Sequence, residues 1–351
     1  MPGAFEQNRT MKAWVLHGIN DLRYEDCEIP SPDVGEALVK VRAVGICGSD
    51  IPRIYKTGAH VHPIIPGHEF AGEVVSCKDS FWIGKRVGVF PLIPCGKCPQ
   101  CRKQQYQLCR NYNYLGSRCD GGFAEYVKVP VWNLMELPET ASFPLGACLE
   151  PLAVTIHAIR RAGIQEKDTV AVIGLGAIGM FVVAVLLSMG VGTIFAVGNK
   201  HFQREMVKRF GFPETHYYDY PKAPLECDVV LECVGKPDSL ATALRCTAPS
   251  GRIVAVGNPS GDMALSKADY WCILRNQLTM LGTWNSSFTH DANDDWHFAI
   301  DLLKRNSAMF SSILSHHLPL RQLDMGLVMM REKAEPYSKV MMIPDESDAN
   351  R

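Results

Sequence analysis

The chain has 351 residues, 47% hydrophobic and 21% charged, with a formal net charge of −1. A length of this order predicts about two domains, and an ordinary globular composition with interspersed charges excludes a nucleic-acid or membrane surface built on bulk electrostatics. Thirteen cysteines, an odd number behind an N-terminus with no secretory signal, predict metal ligation in a reducing, cytoplasmic setting rather than a disulfide framework.

Residues 1–10 read as a polar extension before a first strand beginning at Met11, "MKAWVL". The runs "ALVKVRAVGIC", "FAGEVVSC", "RVGVFPLIP" and "FAEYVKVP" follow, punctuated by Pro and Gly. They predict a mostly antiparallel β domain over residues 11–155. Inside it lies a lobe, residues 93–111, with "CGKCPQCRKQQYQLC". Cys95, Cys98, Cys101 and Cys109 have the spacing C-x2-C-x2-C-x7-C. Four thiolates in one short loop fill a tetrahedral zinc site and leave no position for water, so the role is structural. Binding such an ion orders a loop too polar to fold alone.

From residue 156 the pattern changes. "TVAVIG", "TIFAVG", "DVVLECVG", "RIVAVGN" and "LTMLGTW" are short apolar runs separated by helical or mixed stretches. They suit strands buried on both faces of a parallel sheet, giving a doubly wound α/β unit over residues 156–292. Residues 177–197 carry no charge and are long enough to span a bilayer. Gly190 and Gly192 divide them into a helix and a strand, so no membrane association is expected. A helix, "DDWHFAIDLLKRN", and a last strand, "YSKVMMIP", lie in residues 293–351, which are assigned back to the first domain.

The α/β unit opens with "VIGLGAIG". Gly174, Gly176 and Gly179 fit G-x-G-x-x-G: a tight turn, close backbone approach to a pyrophosphate, and close packing of helix on strand. Ala177 and Ile178 complete the loop, and the helix N-terminus offers N–H groups to the anion. An acid that binds the ribose 2′-hydroxyl is expected about 20 residues on. Gly198 stands there, followed by Asn199, Lys200, His201 and, one helical turn past Lys200, Arg204. The missing carboxylate removes a repulsion, and Lys200 and Arg204 suit a 2′-phosphate, so NADP(H) is expected over NAD(H). The alternative is NAD bound through Asn199, with the cations solvated.

A scattered set completes the inventory: Cys47 in "GICGSD", His68 and Glu69 in "GHEF", and Glu150 in "LEP". All are zinc-ligand types, but spacing alone does not make them neighbours. With the four-cysteine lobe, the glycine loop and the strings "GICGSDIPRIYKTGAHVHPIIPGHEF", "YLGSRCDGGFAEYVKV" and "GACLEPLAVTIHA", the chain resembles the zinc-dependent medium-chain dehydrogenases over nearly its whole length. Glu150 in place of a cysteine resembles the polyol dehydrogenase branch.

The resemblance implies an α/β fold with a GroES-like, mostly-β catalytic domain and a Rossmann cofactor domain. It implies two zinc ions per chain, the catalytic one at Cys47, His68, Glu69 and Glu150, where the two glutamates alternate as direct ligand or act through water. It implies Ser49 as proton relay, Asp50 behind His68, and a homodimer or homotetramer. The activity implied is hydride transfer between a nicotinamide and a polyol phosphate or its ketose phosphate. Arg53, Lys56 and Arg118 are candidates for the phosphate, and His60 and Trp284 are possible pocket groups. Two alternatives stand beside this: a dehydrogenase of neutral polyols or L-threonine, and a non-catalytic cofactor-binding protein on the same fold.

Overall fold

The structure, a computed structural model, describes residues 10–220 and 226–344. The expected extension at residues 1–10 falls almost wholly outside them. The chain forms two compact units: one from the residues up to Glu150 and from Leu314 onward, the other from Pro151–Ile313.

The first unit is built on a seven-stranded sheet. Its order is Leu314–Pro319, Lys339–Ile343, Glu36–Ile46, Glu69–Cys77, Arg86–Val89, Leu134–Glu136, with Tyr126–Pro130 also paired to Glu36–Ile46. All neighbours are antiparallel except the pair Leu314–Pro319 and Lys339–Ile343. β-branched and aromatic residues such as Val39, Val41, Phe70 and Val74 fill its core, as a half-buried pleated surface favours. A hairpin, Thr10–Gly18 with Asp21–Glu28, packs Trp14 and Leu16 into the same core.

The second unit holds a six-stranded, all-parallel sheet. Its order is Tyr217–Asp219, Thr193–Gly198, Thr169–Ile173, Cys227–Glu232, Thr247–Ala255, Thr279–Gly282. The order reverses at Thr169–Ile173, the first strand, which is where a doubly wound sheet opens its ligand crevice. The uncharged run resolves into the helix Ala177–Ser188 and the strand Thr193–Gly198. The helix is apolar on every side and buried from Gly179 to Leu186, as a core helix must be. No helix among the described residues is long and apolar enough to cross a membrane.

One boundary differs from the sequence expectation. The helix Asp295–Ser311, expected with residues 293–351 in the first domain, lies in the second unit, and only Leu314 onward returns. Phe310 stacks on Phe181 at 6.4 Å, and Asp295 accepts from His157 and Arg160, both at 2.8 Å. Helical periodicity reveals an apolar face but not what that face covers.

Candidate active site

Strand register gathers the scattered set. Gly45 pairs with Glu69 on one side and Met341 on the other. Cys47, just past Ile46, therefore meets His68 and Glu69 at one end of the sheet. Their ligand atoms all lie within 4.8 Å of one another, and His68 and Glu69 are buried. A thiol, an imidazole and a carboxylate at this separation are a donor set that suits zinc. Glu150, in the first turn of the helix Leu149–Ala162, is buried nearby but lies outside this three-atom group.

Asp50 is fully buried; its Oδ2 accepts the Cys47 N–H at 2.9 Å, and its Oδ1 faces His68 Nδ1 at 3.5 Å. Arg53 Nη1 donates to the same Oδ1. Burial pushes the Asp50 carboxyl up, but His68, Arg53 and the Cys47 N–H outweigh it and hold it below its ordinary value. Ser49 donates its hydroxyl to Cys47 Sγ at 3.3 Å. Burial lowers His68, yet Asp50 and Cys47 prevail and hold it well above the usual imidazole range.

Two residues of this site escape sequence reasoning. Lys339, only 2% exposed, pairs with Glu69 Oε2 and donates to the Ile46 carbonyl at 3.1 Å. Burial opposes its charge, but Glu69 and the thiols of Cys47 and Cys148 hold its pKa above the ordinary lysine value. Gly45 leaves the room: a Cβ there would stand 2.8 Å from Lys339 Cε and collide with Glu69. The second is Tyr114, whose hydroxyl donates to Glu150 Oε1 at 3.3 Å and whose ring lies 5.8 Å from His68. Burial pushes the Glu150 carboxyl up to about 7. Lys339 belongs to no local motif, and Tyr114, which opens the string "YLGSRCDGGFAEYVKV", was not singled out in it; partners 270 and 36 residues away in sequence leave no spacing to read.

Beside the ligand set lie two of the three phosphate candidates. The Arg118 guanidinium lies 4.7 Å over the Tyr112 ring, and its Nε is buried with no hydrogen-bond partner among the described residues. Partial burial and then the charges of Arg118 and Arg53 hold His60 below its ordinary value. Lys56 is exposed on the helical turn Arg53–Thr57. Trp284 is 57% exposed and so is not part of the core.

The cysteine lobe is compact. Sulfur separations of 3.5 Å (Cys98–Cys101), 3.9 Å (Cys98–Cys109) and 4.0 Å (Cys95–Cys101) bracket the about 3.8 Å that four zinc–thiolate bonds at tetrahedral angles require. Hydrogen bonding from the Cys101 backbone lowers the Cys98 thiol to about 6, and the backbone at Lys97 and Cys98 lowers Cys95. Burial, with the hydrogen bonds to Cys98 and Cys109, pushes the Cys101 thiol up to about 12, so the metal-free thiols do not ionise alike.

In the second unit the glycine loop has its expected geometry. Gly174 has φ +91°, a Cβ on Gly176 would meet nothing within 4 Å, and one on Gly179 would run into the Gly174 carbonyl. A pocket of about 400 Å³ opens beside the loop, lined in part by Gly198, Asn199, Gln203, Tyr220 and Lys236. Gln203 takes the Asn199 N–H at 3.1 Å and, with Tyr217, fills the space a side chain at 198 would use. Arg204 has acidic partners that the sequence does not reveal. Its guanidinium stacks 4.5 Å from the Tyr217 ring and lies 3.6 Å from Asp219 and 3.8 Å from Glu214. Lys200 caps the helix His201–Lys208. Gln203, Tyr220 and Lys236 were not legible, because neutral amides and lone cations carry no pattern.

Residues 33–139 match the family described as "Alcohol dehydrogenase GroES-like domain" and residues 177–305 that described as "Zinc-binding dehydrogenase". Galactitol 1-phosphate 5-dehydrogenase of Escherichia coli strain K12 is 33% identical over 321 residues, 88% of this chain and 92% of that enzyme. The crystal structure of galactitol-1-phosphate dehydrogenase from Escherichia coli superposes with a TM-score of 0.88 at 30% identity, covering 95% of this chain and 100% of that one. A zinc-binding dehydrogenase from Sinorhizobium meliloti, solved bound to NADP, gives 0.84 at 29% identity over 96% and 100%. Matched in both units and over most of its length, the chain belongs to the zinc-dependent medium-chain dehydrogenases and is an oxidoreductase of the alcohol and polyol type.

Proposed function

We propose that this chain is a zinc-dependent, NADP(H)-linked enzyme that interconverts a hexitol or pentitol phosphate and its ketose phosphate. What supports the reading is that Arg53 pairs with Asp50 behind the Cys47, His68 and Glu69 ligand set, and that Arg53 and Arg118 both act on the charge of His60. The similarity to galactitol 1-phosphate 5-dehydrogenase supports the phosphorylated substrate class. Zinc would supply a Lewis acid for the substrate oxygen, and the nicotinamide would exchange the hydride.

Cys47, His68 and Glu69 would hold the catalytic ion, and Cys95, Cys98, Cys101 and Cys109 a structural one. Asp50 fixes the Cys47 backbone and faces His68, so it holds two ligands in place. Ser49, beside Cys47 Sγ, both donates and accepts, which suits it to pass the substrate proton toward solvent. Arg118, its guanidinium 4.7 Å over the Tyr112 ring, would offer a planar fork to a phosphate, and Arg53 would add a second charge. In the second unit, Gly174, Gly176 and Gly179 receive the pyrophosphate. Gly198 presents no carboxylate to a 2′-phosphate, and Asn199 and Lys200 stand next to it. Arg204 joins them only by leaving Asp219 and Glu214.

A dehydrogenase of neutral polyols is the second reading, favoured by one observation: Arg53 is already paired with Asp50. Purified protein assayed at the nicotinamide absorbance band separates the two. NADPH and NADH are each offered with ketose phosphates and with their unphosphorylated parents. Turnover of a ketose phosphate with NADPH is the expected result; turnover confined to unphosphorylated ketoses removes Arg53 and Arg118 as a phosphate site, and NADH-only turnover removes the NADP(H) preference.

We also infer a homo-oligomer. The edge strand Thr279–Gly282 and the helix Lys267–Arg275 expose Met280, Tyr270, Trp271 and Leu274, and Trp284 follows them. An unpaired edge with exposed aromatics suits a second copy of the same strand. None of the thirteen cysteines is in a disulfide, which fits a reducing compartment.

A further inference from the structure

Glu150 is the one member of the expected ligand quartet that stands outside the group of Cys47, His68 and Glu69. Its side chain is buried, and one hydrogen bond among the described residues reaches its carboxylate: that of Tyr114, at 3.3 Å. A carboxylate offers about four acceptor sites. A buried one with a single donor turns to the nearest cation unless something holds it. Tyr114 is itself fixed, with its ring 5.8 Å from His68 and 6.2 Å from Tyr112. The hydroxyl is therefore aimed by aromatic packing rather than free to follow Glu150.

The contrast with the cysteine lobe gives this a chemical meaning. Four protein ligands close a zinc site, whereas a catalytic site keeps three and leaves a position open. Glu150 is close enough to interact electrostatically with His68 and Glu69 and has the donor chemistry to close the site. We propose that Tyr114 is a positioning residue: its hydroxyl holds Glu150 clear of a metal bound by Cys47, His68 and Glu69, and so keeps a coordination position open for the substrate oxygen. The inference rests on the reading of those three residues as catalytic zinc ligands.

Tyr114→Phe keeps the ring on His68 and Tyr112 and removes only the donor. The full chain is loaded with Co²⁺, and imidazole is titrated in as a probe of the open position, followed by visible difference spectroscopy. Release of Zn²⁺ to a chelator is timed in parallel. Wild-type protein takes up two Co²⁺, and one responds to imidazole. In Tyr114→Phe, Glu150 takes the open position: the cobalt bands of that site shift, imidazole binds at least about tenfold more weakly, and zinc is released more slowly. Adding Glu150→Gln to Tyr114→Phe restores imidazole binding toward the wild type, because the amide is a poor competitor for the ion. A Tyr114→Phe protein with unchanged bands, imidazole affinity and release rate overturns the inference. A wild type that takes up cobalt only at the four cysteines overturns the zinc reading beneath it, a result of a different kind.

Discussion

At the scale of single residues, the buried pair of Glu69 and Lys339 sets the energetic terms of the site. Removing one partner of a buried ion pair strands the other charge, at a cost of about 3–5 kcal/mol. Lys339→Met is therefore expected to lower the unfolding free energy measured in urea markedly, while Lys128→Met, at a surface pair with Glu36, changes it by about 1 kcal/mol or less. Proton binding makes a second prediction. Glu150, pushed up to about 7 by burial, and His68, held well above its usual range by Asp50 and Cys47 against its burial, both hold protons more tightly folded than unfolded. In metal-free protein, their stabilising contributions are complete below the unfolded values and are lost as pH rises through the folded ones. Zinc needs deprotonated ligands, so its stabilisation runs the other way. The gap in melting temperature between zinc-loaded and metal-free protein should widen from about pH 6 to about pH 8; a calorimetric gap that narrows contradicts the ligand assignment. Cys47, His68 and Glu69 were legible in the sequence because each stands in a short chemical string. Lys339 was not, because in "YSKVMMIP" it reads as a solvated charge beside an apolar strand.

At the scale of elements, the glycine loop separates two jobs that one motif combines. Gly179→Ala pushes a methyl group into the Gly174 carbonyl, so both the melting temperature and cofactor binding should fall. Gly176→Ala meets no protein atom within 4 Å. It should melt close to the wild type yet lose at least about tenfold in NADPH affinity by fluorescence quenching, because the backbone no longer approaches the pyrophosphate. Gly198→Asp tests the cofactor assignment. Its Cβ would stand 2.6 Å from Tyr217 Oη and 2.8 Å from Gln203 Oε1, so Gln203 must swing aside. The NADPH-to-NADH ratio of kcat/KM should fall by about tenfold or more as the new carboxylate repels a 2′-phosphate; an unchanged ratio means the 2′-phosphate does not sit there. The five longer strands of the parallel sheet were legible from their apolar runs. Tyr217–Asp219 and Leu314–Pro319 were not: three residues give no period, and "LSHHLP" is too polar to mark a strand. The acidic partners of Arg204 were not legible, because spacing shows only that it shares a turn with Lys200, while folding brings Asp219 and Glu214 to it.

At the scale of the whole molecule, sequence reading identified both architectures and missed where the chain passes between them, since the helix Asp295–Ser311 looks the same whichever unit it covers. The cysteine lobe gives a molecular prediction. Cys109→Ser should bind one zinc fewer per chain by atomic absorption and open residues 93–111 to proteolysis, with the parallel-sheet unit unaffected. The position of Lys339–Ile343 has a consequence for how the protein is made. That strand lies between Leu314–Pro319 and Glu36–Ile46 inside the first unit's sheet, and it brings Lys339 to Glu69. Pro151–Ile313 is one continuous stretch and can fold as it leaves the ribosome. The unit begun first must wait, with Glu69 uncompensated and the edge strand Leu314–Pro319 unconnected to its sheet, until the last strand has been translated. A nascent chain halted before residue 339 would thus carry a finished nucleotide-binding half and an open half exposing unpaired strand edges, the kind of surface that chaperones hold.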